Sequence, residues 1–239
     1  MNSSRFLYSA MFLVLMPLMP VFSQSEFMDR GQRGFGTKLE IVTEGTDFVQ
    51  AGLDASYSIN GLLDIGLEAG HSRDRTGIAG ESSYSIQAVY GFTVLKQDRL
   101  VPFSIMIPGS LHAVKVVSPA LDSSGLIKTG TGYRIGLDVF RFVYAAPRVY
   151  LRYGAFLCHE SSTYIVERQN GRTGDGYPSS QKNYALLYGA ILGFSYRPNR
   201  ANRGVAVSMD LRTYTCDAQT IHLAPSLSIT LVENDLEKQ

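Results

Sequence analysis

The sequence predicts an all-β protein: an antiparallel up-and-down transmembrane β-barrel of ten strands, or of eight if the first and last segments are irregular. Three observations predict it. Apolar and polar residues alternate with a period of two in ten successive segments, and turn signals separate those segments at regular intervals. Charged residues make up 18 % of the chain, below the roughly 25 % usual in soluble domains, and those within the segments gather on one face. The 23 Gly and 14 Tyr suit a sheet with amphipathic surfaces. A net charge of +1 provides no basic stripe, so no nucleic-acid partner is expected.

The N-terminus has the make-up of a secretory signal peptide. Arg5 is followed by an almost wholly apolar run from Phe6 to Phe22 and by the small residues Ser23 and Ser25, either of which suits cleavage. Pro17 and Pro20 break the run, which is short of the ~20 residues of a spanning helix. No Cys follows it, as a lipoprotein signal would require. No later run is long and apolar enough for a transmembrane helix, so a mature chain that enters a membrane must do so as a closed barrel. The expected division is residues 1–25 as cleaved signal, 26–232 as barrel and 233–239 as a polar tail.

The segments follow in order. The first sets Phe35, Leu39 and Ile41 against Gly36, Lys38 and Glu40. The second runs from Val49 to Ile59 and ends at Asn60-Gly61, the strongest short hairpin signal. The third continues through Leu63, Ile65, Leu67 and Ala69, and the fourth through Tyr84, Ile86, Ala88, Tyr90, Phe92 and Val94. The fifth, about Val101 to Val116, is interrupted by Pro108-Gly109. Tyr133 to Val139 forms the sixth, Val149 to Leu157 the seventh and Tyr184 to Tyr196 the eighth. The ninth spans Val205 to Thr213, and the tenth spans Ile221 to Leu231 with Pro225 inside it.

The connections alternate in character. One set is short, and the other includes three longer polar stretches at 72–83, 117–129 and 159–183, of which Thr163 to Val166 could extend the seventh segment. Short turns at one end and longer loops at the other are the layout of an outer-membrane barrel, and an even strand count leaves both termini at the short-turn end. The polar face is rich in Gly and Ser and poor in Lys and Glu, unlike a solvated surface. Tyr84, Tyr133 and Tyr184 each take the first apolar-face position after a long loop, while Tyr57 and Tyr196 lie at the opposite strand ends, as two interfacial girdles would require. A soluble secreted β-sandwich is the competing reading.

Residues ~33 to ~232 resemble, as a pattern of alternation and turns, the small bacterial outer-membrane barrels of the OmpA, OmpW and opacity-protein kind. The resemblance implies the outer membrane as location, outer-membrane lipid as partner and a monomeric state. One departure is the ending: Ile229-Thr230-Leu231-Val232 is followed by Glu233 to Gln239, where such chains commonly close on an aromatic residue.

Face parity directs Lys38, Glu40, Asp54, Asp64, Glu68, Arg134, Asp138, Arg152, Asp210 and Arg212 into the lumen, where charges must be paired. Either they form a salt-bridge plug or they line a narrow, selective pathway. Pro removes a ladder hydrogen bond and Gly permits a bend, so Met106, Pro108, Gly109 and His112 are candidates for a bulge or, as in OmpW-type proteins, for a side opening in the wall. Cys158 and Cys216 share the inward face at the loop ends of segments seven and nine. Two ladder spacings, about 9–10 Å, separate those segments, so a disulfide requires the strand ends to curl inward. No metal-ligand spacing, cofactor motif or paired catalytic carboxylates are legible, so no enzyme is expected. Gly171 to Gly176 lacks the strand-to-helix context of a phosphate loop and reads as a surface loop.

Two functions follow as expectations. One is passive passage of small, even hydrophobic, molecules through a narrow or plugged barrel. The other is adhesion or interaction with a host or extracellular ligand, through loops displayed on a structural barrel.

Overall fold

The computed structural model describes residues 32–44, 48–74, 81–98, 100–168, 179–196, 203–215 and 222–234. The expected signal peptide, Cys216 and the Gly-rich stretch 170–176 lie outside them. Ten strands run in order: β1 (Gln32–Glu44), β2 (Phe48–Ile59), β3 (Leu63–Asp74), β4 (Ser82–Leu95), β5 (Ser104–Val117), β6 (Leu126–Ala146), β7 (Val149–Arg168), β8 (Ser179–Tyr196), β9 (Arg203–Thr215) and β10 (His222–Asn234). A single-turn helix, α1 (Pro119–Ser124), lies between β5 and β6. Each strand pairs antiparallel with its sequence neighbours, and β1 closes on β10. The first and last segments are thus regular, and ten strands, not eight, form the wall.

The register sets the shape. One ladder row starts at Phe194 of β8 and passes through Met209, Leu227, Leu39, Leu53, Ala69, Ile86, Ala113, Thr131 and Thr163. It returns to β8 at Lys182, twelve residues from its start. An offset of ~40 Å along the strands, over a perimeter of ~48 Å, tilts them by roughly 40° to the barrel axis. That is the tilt of a transmembrane barrel.

Burial alternates with the pleat. On β2, Gln50, Gly52, Asp54, Ser56 and Ser58 are buried, while Val49, Ala51, Leu53, Ala55 and Tyr57 are exposed. Thirty-eight large apolar side chains stand exposed among the described residues, with Leu67, Leu111 and Leu192 each more than 60 % exposed. Leaving each of these in water would forgo about 1.5–3 kcal/mol, so the outer wall faces lipid. No described helix is long and apolar enough to cross a membrane.

Aromatic rings mark both edges of this belt. At the long-loop end, His71 lies 4.9 Å from Tyr84, and His159 stands between Tyr133 (6.1 Å) and Tyr184 (6.4 Å, stacked). At the other end Tyr57 and Tyr196 are exposed, and Tyr144 meets Tyr150 edge-on at 5.9 Å.

Several boundaries differ from the sequence reading. β6 starts at Leu126, β7 continues to Arg168 and β8 starts at Ser179, so much of the expected loops 117–129 and 159–183 is strand or helix. Beyond the girdle the outward side chains are mixed, with Thr129, Thr131, Ser161 and Thr163 beside Ile127 and Ile165. Hydrogen bonding continues there after the continuous apolar face has ended, so the two-residue pattern fades although the strands do not. At the other terminus β10 includes Glu233 and Asn234, paired with Arg33 and Gln32, which shortens the expected tail.

Candidate functional site

The ten side chains expected in the lumen all project inward, and none is more than 5 % exposed. Seven of them take part in the following ion pairs. Arg212 of β9 reaches Asp138 of β6 at 2.7 Å, with β7 and β8 lying between those strands in the wall. Arg152 of β7 lies 3.4 Å from Asp210 of β9, Arg134 lies 3.2 Å from Glu160, and Lys38 lies 3.0 Å from Glu40. Aromatic faces support two of the guanidinium groups: Arg152 lies 4.4 Å from the Phe140 ring centre and Arg212 lies 5.0 Å from that of Phe156. Desolvation makes such charges costly unless partners and geometry compensate, and planar Arg on an aromatic face loses less hydration than Lys would.

The sequence alone does not single out Glu160, because position 159 reads as the start of a loop. The signal was available: Cys158, Glu160 and Ser162 continue the inward parity of Arg152. Around Glu160 a polar line runs across three strands. His112 Nε2 lies 3.1 Å from Ser162 Oγ, and Ser162 Oγ donates to Glu160 Oε1 at 3.4 Å. His112 Nδ1 has no hydrogen-bond partner among the described residues. The serine therefore sits between imidazole and carboxylate, whereas a nucleophile relay needs the acid on the far side of the His.

Among the described residues the interior has two unlike sides. There the buried apolar side chains all belong to β4–β8 and include Val89, Met106, Phe140, Phe156, Leu187 and Ile191. The inward side chains described on β1–β3, β9 and β10 are charged or polar apart from glycines.

At the fifth segment, the expected side opening is a short interruption in a closed wall. Met106, Pro108 and His112 face inward and are buried. β4 pairs straight through, with Gly91 opposite Pro108 and Tyr90 opposite Gly109. On the β6 side pairing stops after Met106–Asp138 and resumes at Gly109–Ile135 in the same register. Proline lacks the N–H that would bond there. Packing seals the place: the Tyr90 ring occupies the space in front of Gly109, and Pro108 Cγ would stand 3.2 Å from a Cβ on Gly136. Pro225 is tolerated likewise, paired with Leu211. Cys158 is a buried free thiol, and Cys216 lies outside the described residues.

No protein-family model and no curated protein matches the sequence. Solved structures match by fold. The translocator domain of autotransporter NalP from Neisseria meningitidis is similar with a TM-score of 0.52 at 11 % identity, over 97 % of this chain and 97 % of that one. The β domain of the Bordetella autotransporter Brka is similar with a TM-score of 0.49 at 9 % identity, over 86 % of this chain and 100 % of that one. Identity this low speaks for the fold alone. That fold, with its lipid-facing wall and two aromatic girdles, makes the chain a ten-stranded β-barrel of the bacterial outer membrane.

Proposed function

We propose that this protein is a plugged barrel that acts as a platform at the cell surface, holding a raised edge of β6, β7 and β8 out of the membrane to contact an extracellular ligand. The observation that carries this reading is the closed interior: all ten expected charges are buried, and Arg212–Asp138 spans the lumen. An open aqueous pore would leave such side chains wet. The raised edge is the part in surplus. A transmembrane strand needs about 9–11 residues, whereas β6, β7 and β8 have 21, 20 and 18. Beyond Tyr133, His159 and Tyr184 their outward side chains include Thr129, Thr131, Ser161, Thr163 and Lys182, suited to water.

The raised edge is supported from within. Tyr164 is buried over Gly130, and Lys128 lies 5.4 Å from its ring. Burial pushes the Tyr164 phenol up and the Lys128 ammonium down from their ordinary ranges. Leu121 of α1 packs on the inward-facing Val114 and Val116, folding the helix onto the inner wall at the mouth.

Passage of small molecules through the lumen is the second reading, favoured by the half-exposed Gly70 and Ser85 on the inner face. Swelling of proteoliposomes in small sugars separates the two. A plugged platform gives a rate close to that of empty liposomes, and rapid swelling would replace it with the passage reading. Removing residues 163–182 should leave the gel shift on boiling intact and abolish binding of expressing cells to host-cell layers.

A further inference from the structure

The upper part of β8 has a strand partner on one side only. β7 pairs with β8 along its whole length, from Val149–Tyr196 to Val166–Ser179, with no shift of register. β9 pairs with it only as far as Thr215–Tyr188. Nor can β9 follow much higher. It is also paired with β10 up to Tyr214–His222, so residues 215–221 must carry the chain out and back. A chain that turns within that length advances about three positions past Tyr214, which the β8–β9 register sets opposite Leu186. Residues 179–185 of β8 lie beyond that reach, and among the described residues no other strand adjoins them on that side.

Backbone N–H and C=O groups turn alternately to the two edges of an antiparallel strand. Every second residue of 179–185 therefore aims its donor and acceptor away from β7, along an open edge of ~23 Å. Such an edge cannot lie in lipid, where unpaired backbone groups are not tolerated. Its position agrees: Tyr184 belongs to the girdle, and Ser179, Ser180, Gln181 and Lys182 beyond it are exposed. In water an open edge is a template for a further strand, and proteins blunt it with bulges, prolines or inward charges. This edge is regular, holds no proline and has no charge at its inward positions Ser179, Gln181, Asn183 and Ala185. Its single guard is Lys182, on the outward face.

We propose that residues 179–185 of β8 dock an extended segment of an extracellular polypeptide by strand addition, with an acidic residue of that segment beside Lys182 and an apolar one beside Tyr184. The inference rests on the platform reading and names how its raised edge recognises a ligand. A row of backbone donors and acceptors is complemented by another extended backbone, while alternate side chains supply the selectivity. Lys182 and Tyr184 share the outward face and set the charge and apolar preference there. On the inward face Gln181 Nε2 donates to Asn183 Oδ1 at 3.2 Å, so small polar neighbours suffice. A second copy in the same membrane does not fit this edge. Copies there are related by an axis along the membrane normal, which crosses strands tilted by roughly 40° at about 80°.

The test is amide hydrogen exchange, read by NMR on the refolded protein in detergent micelles. The probe is the acetylated and amidated heptapeptide Thr-Val-Thr-Glu-Thr-Val-Thr. Without it, alternate amides between 179 and 185 should exchange fast while their neighbours, bonded to β7, are protected. Millimolar peptide should slow the fast set by roughly fivefold or more, and the same peptide N-methylated at every residue should have no effect. Lys182→Glu should weaken binding by roughly fivefold. Gln181→Pro or Lys182→Pro, chosen at the fast-exchanging position, should keep the gel shift on boiling and lose the peptide. Four results overturn the proposal: uniform protection of 179–185 without peptide, a fast set unchanged by peptide, equal slowing by the N-methylated peptide, or peptide binding by Lys182→Glu at wild-type strength. Cell binding that is lost on removing 163–182 yet survives the proline variant sinks strand addition and leaves the platform reading standing. Peptide docking by a protein whose cells bind no host layer sinks the platform reading instead.

Discussion

The two sides of this barrel share one outer face and differ in almost everything else. β9, β10 and β1–β3 have 12 or 13 residues each, and their described inward side chains are polar or charged. β4–β8 run from 14 to 21 residues, β6–β8 rise above the girdle, and these five strands carry the buried apolar side chains among the described residues. Lipid imposes the same rule on both, an apolar residue at every second position, so divergence is confined to the lumen and the rim. The sides are also joined across the lumen: Arg152 and Asp138 belong to the tall side, and their partners Asp210 and Arg212 to the short one. Neither side is a self-sufficient core.

Breaking that joint gives the largest expected effect. Arg152 is fully buried, paired with Asp210 and stacked on Phe140. Arg152→Ala leaves a buried carboxylate short of its partner and should cost about 3–5 kcal/mol, read as a lower urea midpoint in refolding. Pairing it with Asp210→Asn should recover much of the loss, since the orphaned charge is then gone. A double variant no better than the single would show that Arg152 contributes through the Phe140 stack instead.

The extent of the shared outer face is sharpened by two substitutions on one strand. Leu137 lies within the lipid belt of β6 and Thr131 on the raised edge beyond Tyr133. Leu137→Arg should destabilise by about 2–4 kcal/mol and Thr131→Arg by less than about 1 kcal/mol. Equal costs in lipid vesicles would move the membrane boundary past the girdle and remove the raised edge.

Within the tall side, Gly132 tests how closely the polar line is packed. A Cβ there would lie 2.5 Å from His112 Nε2 and also meet the Ser161 carbonyl oxygen. Gly132→Ala should cost about 1–3 kcal/mol through overpacking and displace His112 from Ser162, visible as a shifted imidazole resonance. An unchanged resonance would mean that the ring has room to spare.

Legibility follows the same division. Lipid enforces a two-residue period, so strand number, face assignment and all ten inward charges could be read from residues such as Leu53–Asp54 or Leu137–Asp138. The Asn60-Gly61 turn could be read as well, because positive φ (56° and 60°) demands that chemistry. Where water replaces lipid the constraint lapses, which hid the upper parts of β6–β8 and Glu160. Partners across the lumen were also illegible: parity says that Arg212 points inward but not that it meets Asp138 three strands away. Pro108 marked a break in hydrogen bonding, while the Tyr90 and Gly136 packing that seals it depends on neighbouring strands.

Helix α1 is the smallest element that sets the tall side apart, and its ends explain why it forms. Ser118 accepts a hydrogen bond from the Leu121 amide at 3.2 Å, and Pro119 occupies the first turn, where its missing N–H is not needed. Gly125 closes the helix in the left-handed region at φ 64°, its N–H bonding the Asp122 carbonyl at 3.1 Å. A single turn so capped stands only because Leu121 is held on Val114 and Val116. Ser118→Ala should therefore cost about 1 kcal/mol, confined to this turn, with the Leu121 amide exchanging roughly fivefold faster and the barrel midpoint unmoved. If the midpoint falls too, α1 is part of the wall's own stability and the tall side is one cooperative unit from lipid to rim; if neither changes, the apolar contact alone fixes the helix and the cap is incidental.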